Sequence, residues 1–338
     1  MGNDNIMPRM DDDFSVPDLE LERVSDIEPE FERDIESSDD YDVMITDIKN
    51  RRGNYIFTIG NPDCGKSTLQ RFIIYRLAKR KDINLEFCSQ DDDKKHIHSS
   101  ILYDWIEELD DTYLPTRTKA GKLQEFTLKF SQEKKKPLSF NFLEISGEDI
   151  KTIVPTKDFE KKPELLKDLV EYLQADKSRI NKRFIFVSDA STNRKSIQRT
   201  TKKEMNEDRL FHSLLSYMLG RDGLNFSKLN ILFVVSKWDI VDSEYKNIDE
   251  YINRNFHLTK GILDSKRCSV IYTPFSVGRV EMEKSDKDTS IAKIVGEYES
   301  RYVDRIIQWM YHSYTKKQLD NFEKIEYSTF EKIKGFFA

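Results

Sequence analysis

The stretch Tyr55–Gln70, which reads YIFTIGNPDCGKSTLQ, constrains the fold more than any other part of the chain. It satisfies the pattern G-x-x-x-x-G-K-[ST] with Gly60, Gly65, Lys66 and Ser67, and it joins an apolar strand-like run to the apolar spacing of a helix. The glycines of this pattern allow backbone N–H groups to close around phosphate oxygens where a helix begins. The stretch therefore predicts a strand, a phosphate-binding loop and a helix in direct succession, rather than an ordinary glycine turn.

The residues of this loop have predicted parts in binding a nucleoside triphosphate. Lys66 supplies positive charge for the β- and γ-phosphates and is a candidate catalytic residue, and the Ser67 hydroxyl is a candidate ligand of Mg²⁺. The positions predicted to contact the nucleotide here are Gly60, Asn61, Asp63, Cys64, Gly65, Lys66, Ser67 and Thr68.

Composition excludes several other classes of protein. Charged residues make up 34% of the 338-residue chain and the net charge is −6, so nucleic acid is not an expected partner. Three scattered cysteines (Cys64, Cys88 and Cys268) form neither a disulfide framework nor a metal motif, which favours a reducing, cytoplasmic compartment. No apolar run approaches the roughly 18 residues that a membrane span needs.

Apolar strand-like runs alternate with helical spacing along most of the chain. The runs at 55–59, 183–189, 229–239 and 269–272 read as buried strands, and 125–130 with 138–145 reads as a hairpin. An additional helix is predicted around Trp105, and a long helix is predicted from Ile291 to Met310. This order predicts an α/β, three-layer fold, with a mainly parallel sheet, helices on both faces, and helical insertions.

The two ends of the chain differ from the middle. Residues 1–42 form an acidic segment with fifteen Asp or Glu between Asp11 and Asp42, which predicts a disordered tail that either aids solubility or docks on a basic surface. Thr315–Ala338 reads as a helix with an apolar stripe, either core packing or a contact with a partner or membrane surface. The predicted domains are the tail at 1–42, a nucleotide-binding domain at 43–312 and a helical extension at 313–338.

Further polar motifs fall at predicted strand ends, where ligands bind in such sheets. Ser236-Lys237-Trp238-Asp239 resembles the N/T-K-x-D tetrad, and Ser276-Val277-Gly278 resembles the S-A-K motif, of the Ras-like, translation-factor-related class of P-loop GTPases. The resemblance covers about residues 55–312. It implies that Asp239 accepts guanine N1–H and N2–H, that Lys237 packs along the base, and that Ser236, Ser276 and Val277 belong to the same base site. Adenine would leave this carboxylate unpaired, so GTP/GDP is the predicted nucleotide.

The same resemblance assigns the γ-phosphate side. Glu144-Ile145-Ser146-Gly147 resembles the D-x-x-G motif, which implies that Glu144 helps to hold Mg²⁺ and that the Gly147 N–H meets the γ-phosphate; the alternative is a plain strand-end turn. Glu148 follows where many members have a water-orienting Gln, so it is a candidate catalytic residue and predicts slow hydrolysis.

A polar loop before the second strand completes the predicted site. Thr116 and Thr118 are candidate Mg²⁺ ligands, with Thr118 favoured, and Arg117 is either an arginine finger or a solvated side chain. The extra helix followed by L-P-x-x-T also resembles bacterial double-GTPase modules of multigene defence systems.

The predicted function is a GTP-binding protein that hydrolyses GTP slowly to GDP and phosphate and acts as a nucleotide-dependent switch. The resemblance places it in a bacterial multi-protein system, with a protein partner at the tail, the terminal helix or the switch loops, and with oligomer formation left open. The alternatives are a nucleotide-gated assembly or adaptor protein with little turnover, which Glu148 favours, and an ATPase or kinase, which Asp239 disfavours.

Overall fold

The structure is a computed structural model of the chain. It describes residues 50–89, 95–114, 123–147, 150, 169, 172–173, 175–192, 207–220, 229–284, 290–296, 298–323 and 325. The acidic segment at 1–42 lies outside these residues.

Nine strands and six α-helices lie entirely within the described residues. The strands are β1 (Gly53–Gly60), β2 (Ile83–Cys88), β3 (Leu123–Gln132), β4 (Leu138–Ile145), β5 (Ile180–Asp189), β6 (Asn230–Ser236), β7 (Ser269–Pro274), β8 (Arg279–Lys284) and β9 (Ser290–Val295). The helices are α1 (Lys66–Lys79), α2 (Lys95–Asp110), α3 (Glu207–Gly220), α4 (Ile248–Asn255), α5 (His257–Ser265) and α6 (Ser300–Thr315).

Seven of these strands form one sheet in the order β2-β3-β4-β1-β5-β6-β7. Strands β4, β1, β5, β6 and β7 run parallel to one another, whereas β3 is antiparallel to both of its neighbours, β2 and β4. The mainly parallel sheet and the predicted β3–β4 hairpin are therefore confirmed. Because β1 lies between β4 and β5, the loop that follows it reaches the middle of the carboxyl edge, where such sheets bind ligands.

Alternate residues of β1 enter two separate hydrophobic cores, as the two-residue period of a strand requires. Tyr55, Phe57 and Ile59 pack with residues of α3, α4 and α5, while Ile56 packs on the other face with residues of α1, α2 and α6. The sheet is thus covered on both faces, which confirms the three-layer fold. Helix α2 is the additional helix predicted around Trp105.

The long helix predicted from Ile291 is wrong at its beginning. Ile291 and Val295 lie in β9, which pairs antiparallel with β8, and α6 begins only at Ser300 after Gly296 with φ 96°. The two residues are four apart, which fits one face of a helix and also one face of a strand, and the pairing with β8 decides between the two. The Glu299 side chain then caps α6 by accepting from the Arg301 N–H.

The helix predicted from Thr315 is also wrong over residues 316–323, and 326–338 lie outside the described part. Helix α6 ends at Thr315, and Lys316 adopts the left-handed conformation with φ 61° while its N–H donates to the His312 carbonyl. The chain turns there, and Leu319 and Phe322 pack in the same core as α6. The apolar stripe is core packing at these two positions.

The β8–β9 hairpin lies beside the segment that precedes residues 115–122. The Leu114 N–H donates to the Ala292 carbonyl at 2.9 Å, and the Ile294 N–H donates to the Thr112 carbonyl at 2.8 Å. Strand β8 follows directly on Ser276–Gly278, so the small sheet connects residues 112–114 with the segment after β7.

Candidate nucleotide-binding site

Two positions of the phosphate-binding loop require glycine, Gly60 because of a close contact and Gly65 because of its backbone conformation. A Cβ at Gly60 would lie 2.4 Å from the Val187 carbonyl oxygen, so a larger residue does not fit. Gly65 has φ +87°, and helix α1 begins at the next residue without a side-chain cap. The first N–H groups of α1 are thereby left for another acceptor, which is the arrangement that binds anions at helix N-termini. Asp63, with φ 57°, is exposed at the tip of the loop.

The Lys66 ammonium group lies inside this loop. Its Nζ donates to the Gly60 carbonyl at 3.2 Å and to the Asn61 carbonyl at 3.0 Å, and the residue is buried. These carbonyl oxygens are neutral, so the cation has no carboxylate partner in these two contacts. If phosphate oxygens bind in the loop, the ammonium group can donate to them instead of to these two carbonyl oxygens.

Ser67 and Glu144 lie together at the start of α1 and the end of β4. The Ser67 Oγ donates to Glu144 Oε1 at 2.7 Å, and Glu144 is buried next to β1, where it pairs in register with Thr58. A hydroxyl and a carboxylate are hard oxygen donors that suit Mg²⁺. The described residues contain no group of three or more His, Cys, Asp or Glu side chains placed to hold a metal ion. The residues therefore fit a cation that takes most of its ligands from phosphate and water.

Gly147 lies directly against the phosphate-binding loop. A Cβ at this position would be 2.1 Å from the Pro62 nitrogen and 2.4 Å from the Asn61 carbonyl carbon. The segment after β4 can approach the loop this closely only because residue 147 has no side chain. The structure therefore brings the predicted γ-phosphate segment to the loop.

Ser236 joins the end of β6 to the loop. Its hydroxyl donates to the Cys64 carbonyl at 2.6 Å and lies 3.0 Å from the Ser188 carbonyl oxygen at the end of β5. The Cys64 thiol itself is buried in the core, and burial raises its pKa to about 12, so it remains protonated at neutral pH. Cys64 thus takes part through its backbone rather than through sulfur chemistry.

Asp239 and Ser276 come from different strand ends and contact each other. The Ser276 hydroxyl donates to the Asp239 carboxylate and accepts from the Gly278 N–H at 3.0 Å, while the Trp238 N–H donates to the Phe275 carbonyl at 3.1 Å. Asp239 is exposed, whereas Ser276 is buried, so the hydrogen bond fixes the carboxylate from the protein side and leaves it accessible to a ligand. Val277, which follows, packs against the core that contains α1.

Lys237 forms an ion pair with a residue that sequence reasoning did not single out. Its Nζ lies 2.6 Å from Asp189 Oδ2 at the end of β5, and its backbone is left-handed with φ 53°. Asp189 ends a buried strand with a polar residue, which is the signal that identified the other strand-end motifs and could have identified this one.

Glu207 also borders the loop without having been predicted. It is the first residue of α3, is buried, and accepts from the Asn61 side chain at 3.1 Å. The charged stretch before α3 contains many polar side chains, so nothing in the sequence distinguishes this carboxyl from its neighbours.

Four of the predicted site residues lie outside the described residues: Thr116, Arg117, Thr118 and Glu148. Their roles remain predictions. Within the described part, no helix is long and apolar enough to cross a membrane.

Comparison with protein-family models matches residues 57–305 to Double-GTPase 1. Among solved structures, the chain is similar to the signal recognition particle receptor SRb-GTP/SRX complex from Chaetomium thermophilum, with 13% identity over 66% of this chain and 90% of that one and a TM-score of 0.35. It is also similar to the GTPase-like domain of S. cerevisiae Ski7 bound to GTP, with 12% identity over 69% of this chain and 45% of that one and a TM-score of 0.35.

A second Ski7 structure, bound to GDP and inorganic phosphate, matches with 10% identity over 82% of this chain, 53% of that one and a TM-score of 0.38. The chain spans about half the length of the Ski7 structures. No curated protein matches it.

A mainly parallel sheet with a G-x-x-x-x-G-K-[ST] loop after its central strand defines the class of P-loop nucleotide-binding proteins. Within that class, the family match covers well over half of the chain. The protein belongs to the Double-GTPase 1 family.

Proposed function

We propose that the protein binds GTP with Mg²⁺, hydrolyses it slowly to GDP and phosphate, and changes conformation with the γ-phosphate. The observation that carries this proposal is the Ser236 hydroxyl, which joins the phosphate-binding loop to the strand end that carries Asp239. This hydrogen bond fixes the distance between the proposed phosphate site and the proposed guanine site on the same edge of the sheet, as the binding of one guanine nucleotide across both sites requires.

Asp239 is the proposed base-reading residue. A carboxylate accepts both N1–H and N2–H of guanine, whereas adenine has an acceptor at N1 and no N2 amino group, so it would leave a desolvated acid unpaired. The hydrogen bond from Ser276 holds the carboxylate in place before the base arrives. Lys237 is the proposed neighbour of the base, with its ammonium group paired to Asp189.

On the phosphate side, the loop N–H groups and Lys66 stabilise the charge that develops on the transferring phosphoryl group. Ser67 and Glu144, with Thr118, are the proposed Mg²⁺ site, and Mg²⁺ when bound there would neutralise charge on the β- and γ-phosphates. The hydrogen bond from Ser67 to Glu144 keeps both oxygens at the start of α1.

Hydrolysis is proposed to be slow, on the order of 10⁻³ s⁻¹, as for related proteins without a stimulating partner. Glu148 stands where a neutral water-orienting side chain is more favourable, and a carboxylate near the γ-phosphate adds repulsion. Arg117 is the candidate that offsets this repulsion in the same chain.

Multiple-turnover phosphate release tests the proposed activity. Purified protein with Mg²⁺ is expected to release phosphate from GTP over several turnovers and to release none above background from ATP, because Asp239 selects guanine. Chromatography of the denatured protein identifies the nucleotide that co-purifies, which is expected to be GDP or GTP. Adenine nucleotide in both measurements would contradict the proposal.

The Gly147→Ala substitution tests the conformational part of the proposal. The new Cβ would collide with the Pro62 nitrogen, so the segment must move away from the loop and lose its contact with the γ-phosphate. Affinity for a non-hydrolysable GTP analogue is expected to fall at least about 10-fold, while GDP affinity changes less, as measured by calorimetry.

Gly261→Ala provides the matched control. Gly261 lies in α5, and a Cβ there would meet nothing within 4 Å. Nucleotide affinities should be unchanged, and the helix should gain about 0.5–1 kcal/mol. An equal loss of GTP and GDP affinity in Gly147→Ala would contradict a γ-phosphate sensor at this position.

The second candidate function is a nucleotide-gated assembly or adaptor protein with little turnover, and Glu148 favours it. Tight GTP binding without phosphate release over several hours would support it over the enzyme. In either case, the proposed setting is a cytoplasmic, bacterial multi-protein system, with a protein partner at the acidic tail, the chain end or the switch segments.

A further inference from the structure

We propose that Glu207 is a proton-linked positioning residue of the phosphate-binding loop, which holds Asn61 in place and takes up a proton when the triphosphate binds. This inference rests on the proposed binding of GTP. It concerns a side chain that lies beside the loop rather than one that touches the nucleotide.

The Glu207 carboxyl group bridges the loop and the end of β5. Its Oε1 accepts from Asn61 Nδ2 at 3.1 Å and lies 3.4 Å from the Asp189 backbone nitrogen, while its Oε2 accepts from the Ser188 hydroxyl at 2.6 Å. Asn61 and Glu207 are 146 positions apart, and Glu207 is 1% exposed. The loop is therefore tied to α3 and β5 through one buried acid.

Asn61 connects this acid to the groups proposed to bind phosphate. Its side chain donates to Glu207, and its backbone carbonyl accepts from Lys66 Nζ at 3.0 Å. Its backbone also lies against Gly147, where an added Cβ would be 2.4 Å from the Asn61 carbonyl carbon. When Lys66 leaves the carbonyls for phosphate oxygens, Asn61 loses one contact and keeps the one with Glu207. Glu207 thus continues to hold Asn61, and with it the loop, when the Lys66 ammonium group moves to the phosphate.

The environment of Glu207 disfavours a negative charge. Burial is the main cause that raises the pKa of this carboxyl to about 7, and the Asp189 carboxylate also raises it, whereas hydrogen bonds from Ser188, Asp189 and Asn61 lower it. At neutral pH the group is therefore close to half ionised. The hydrogen bonds favour the ionised form, whereas an additional anion nearby would favour the protonated form.

Other charged and titratable groups surround this carboxyl on each neighbouring element. The loop contributes Lys66 and the Cys64 thiol, whose pKa of about 12 keeps it neutral, and β5 contributes Asp189, which is paired with Lys237. On α3, the next residue is Asp208, which accepts from the Leu258 and Thr259 N–H groups and lies 3.5 Å from His257 Nδ1. Glu144 also interacts electrostatically with the Cys64 thiol.

The sign of the linkage follows from like charges. A triphosphate in the loop brings several negative charges close to Glu207, which raises its pKa further, so the complex binds more protons than the free protein. GTP affinity is then highest below the free pKa of about 7 and falls as the pH rises through that value towards the higher pKa of the complex.

Calorimetry of a non-hydrolysable GTP analogue with Mg²⁺ measures this uptake directly. Titrations in buffers of different ionisation enthalpy count the protons bound, and roughly half a proton at pH 7 is expected from Glu207. Between pH 6.5 and 8.5 the affinity is expected to fall about 10-fold more in the wild-type protein than in Glu207→Gln. Glutamine has the size and hydrogen-bonding capacity of the neutral acid. The pH dependence that comes from ionisation of the nucleotide is the same in both proteins, so it cancels when their affinities are compared.

A second variant moves the transition without removing the carboxyl group. Ser188→Ala deletes the donor at 2.6 Å, which raises the pKa of Glu207, so the midpoint of the affinity profile should shift upwards by roughly 0.5–1 pH unit. This measurement decides the matter if Glu207→Gln does not fold. A merely structural role would alter stability in these variants without changing the proton count.

The outcomes separate this inference from the proposed function. Guanine nucleotide binding with the same proton uptake in wild type and Glu207→Gln, or an unmoved midpoint in Ser188→Ala, overturns the role of Glu207 and leaves GTP binding standing. Absence of guanine nucleotide binding by the wild-type protein at every pH overturns both.

Discussion

Replacing Lys66 with alanine is expected to lower the GTP turnover number at least about 100-fold while the protein remains folded. The ammonium group lies inside the phosphate-binding loop and donates to the Gly60 and Asn61 carbonyls. It is proposed to exchange these neutral acceptors for phosphate oxygens, whose negative charge grows as the γ-phosphoryl group leaves. Multiple-turnover phosphate release, with thermal unfolding measured in parallel, checks this expectation.

Lys79→Ala is the matched control, because it removes the same charge from the other end of α1. The Lys79 Nζ pairs with Asp110 at 2.5 Å, and both side chains are more than 40% exposed, so the loss should cost no more than about 1 kcal/mol of stability. Turnover in this variant should stay within about twofold of the wild type. Normal turnover in Lys66→Ala would contradict the proposed mechanism, and equal losses in both variants would show that helix α1, rather than the loop cation, had been disturbed.

Sequence patterns predicted the phosphate-binding loop well because its determinants are local. Gly60, Gly65 and Lys66 lie within seven consecutive residues, and the strand and helix patterns on either side place the loop at the carboxyl end of a strand. The central position of β1, however, follows only from pairing with β4 and β5.

Other parts could not be predicted because they depend on distant pairing. The spacing of Ile291 and Val295 satisfies a helix as well as a strand, and only the partner strand β8 distinguishes the two. Glu207 meets Asn61 across 146 positions, and no local pattern identifies which acid of a charged stretch will be buried. Leu319 and Phe322 keep their apolar spacing and their burial although the chain turns there instead of forming a helix.

Asp239→Asn is expected to weaken GTP binding at least about 100-fold. The carboxylate accepts two charge-assisted hydrogen bonds from guanine, whereas asparagine offers one neutral acceptor and places its NH₂ donor against the N2 amino group, which is also a donor. The same change should strengthen binding of xanthosine triphosphate. Xanthine carries a carbonyl oxygen at C2, to which an asparagine amide can donate. Competition of both nucleotides against a fluorescent GTP analogue measures this reversal.

Asp242→Asn is the control for the loss of a negative charge. Asp242 is exposed three residues after Asp239, and its backbone N–H donates to the Trp238 carbonyl at 2.9 Å, so its side chain can be neutralised without changing that turn. It should leave the preference for GTP unchanged.

The pair of substitutions separates recognition from general electrostatics. If Asp239 reads the base, its asparagine variant gains xanthosine triphosphate as it loses GTP, since the Ser276 hydroxyl can still donate to the side-chain oxygen. If the carboxylate contributes only charge near the site, both variants change affinity alike and neither favours xanthine. Unchanged GTP affinity in Asp239→Asn would remove the basis for guanine over adenine, because the phosphate-binding loop alone accommodates either nucleotide.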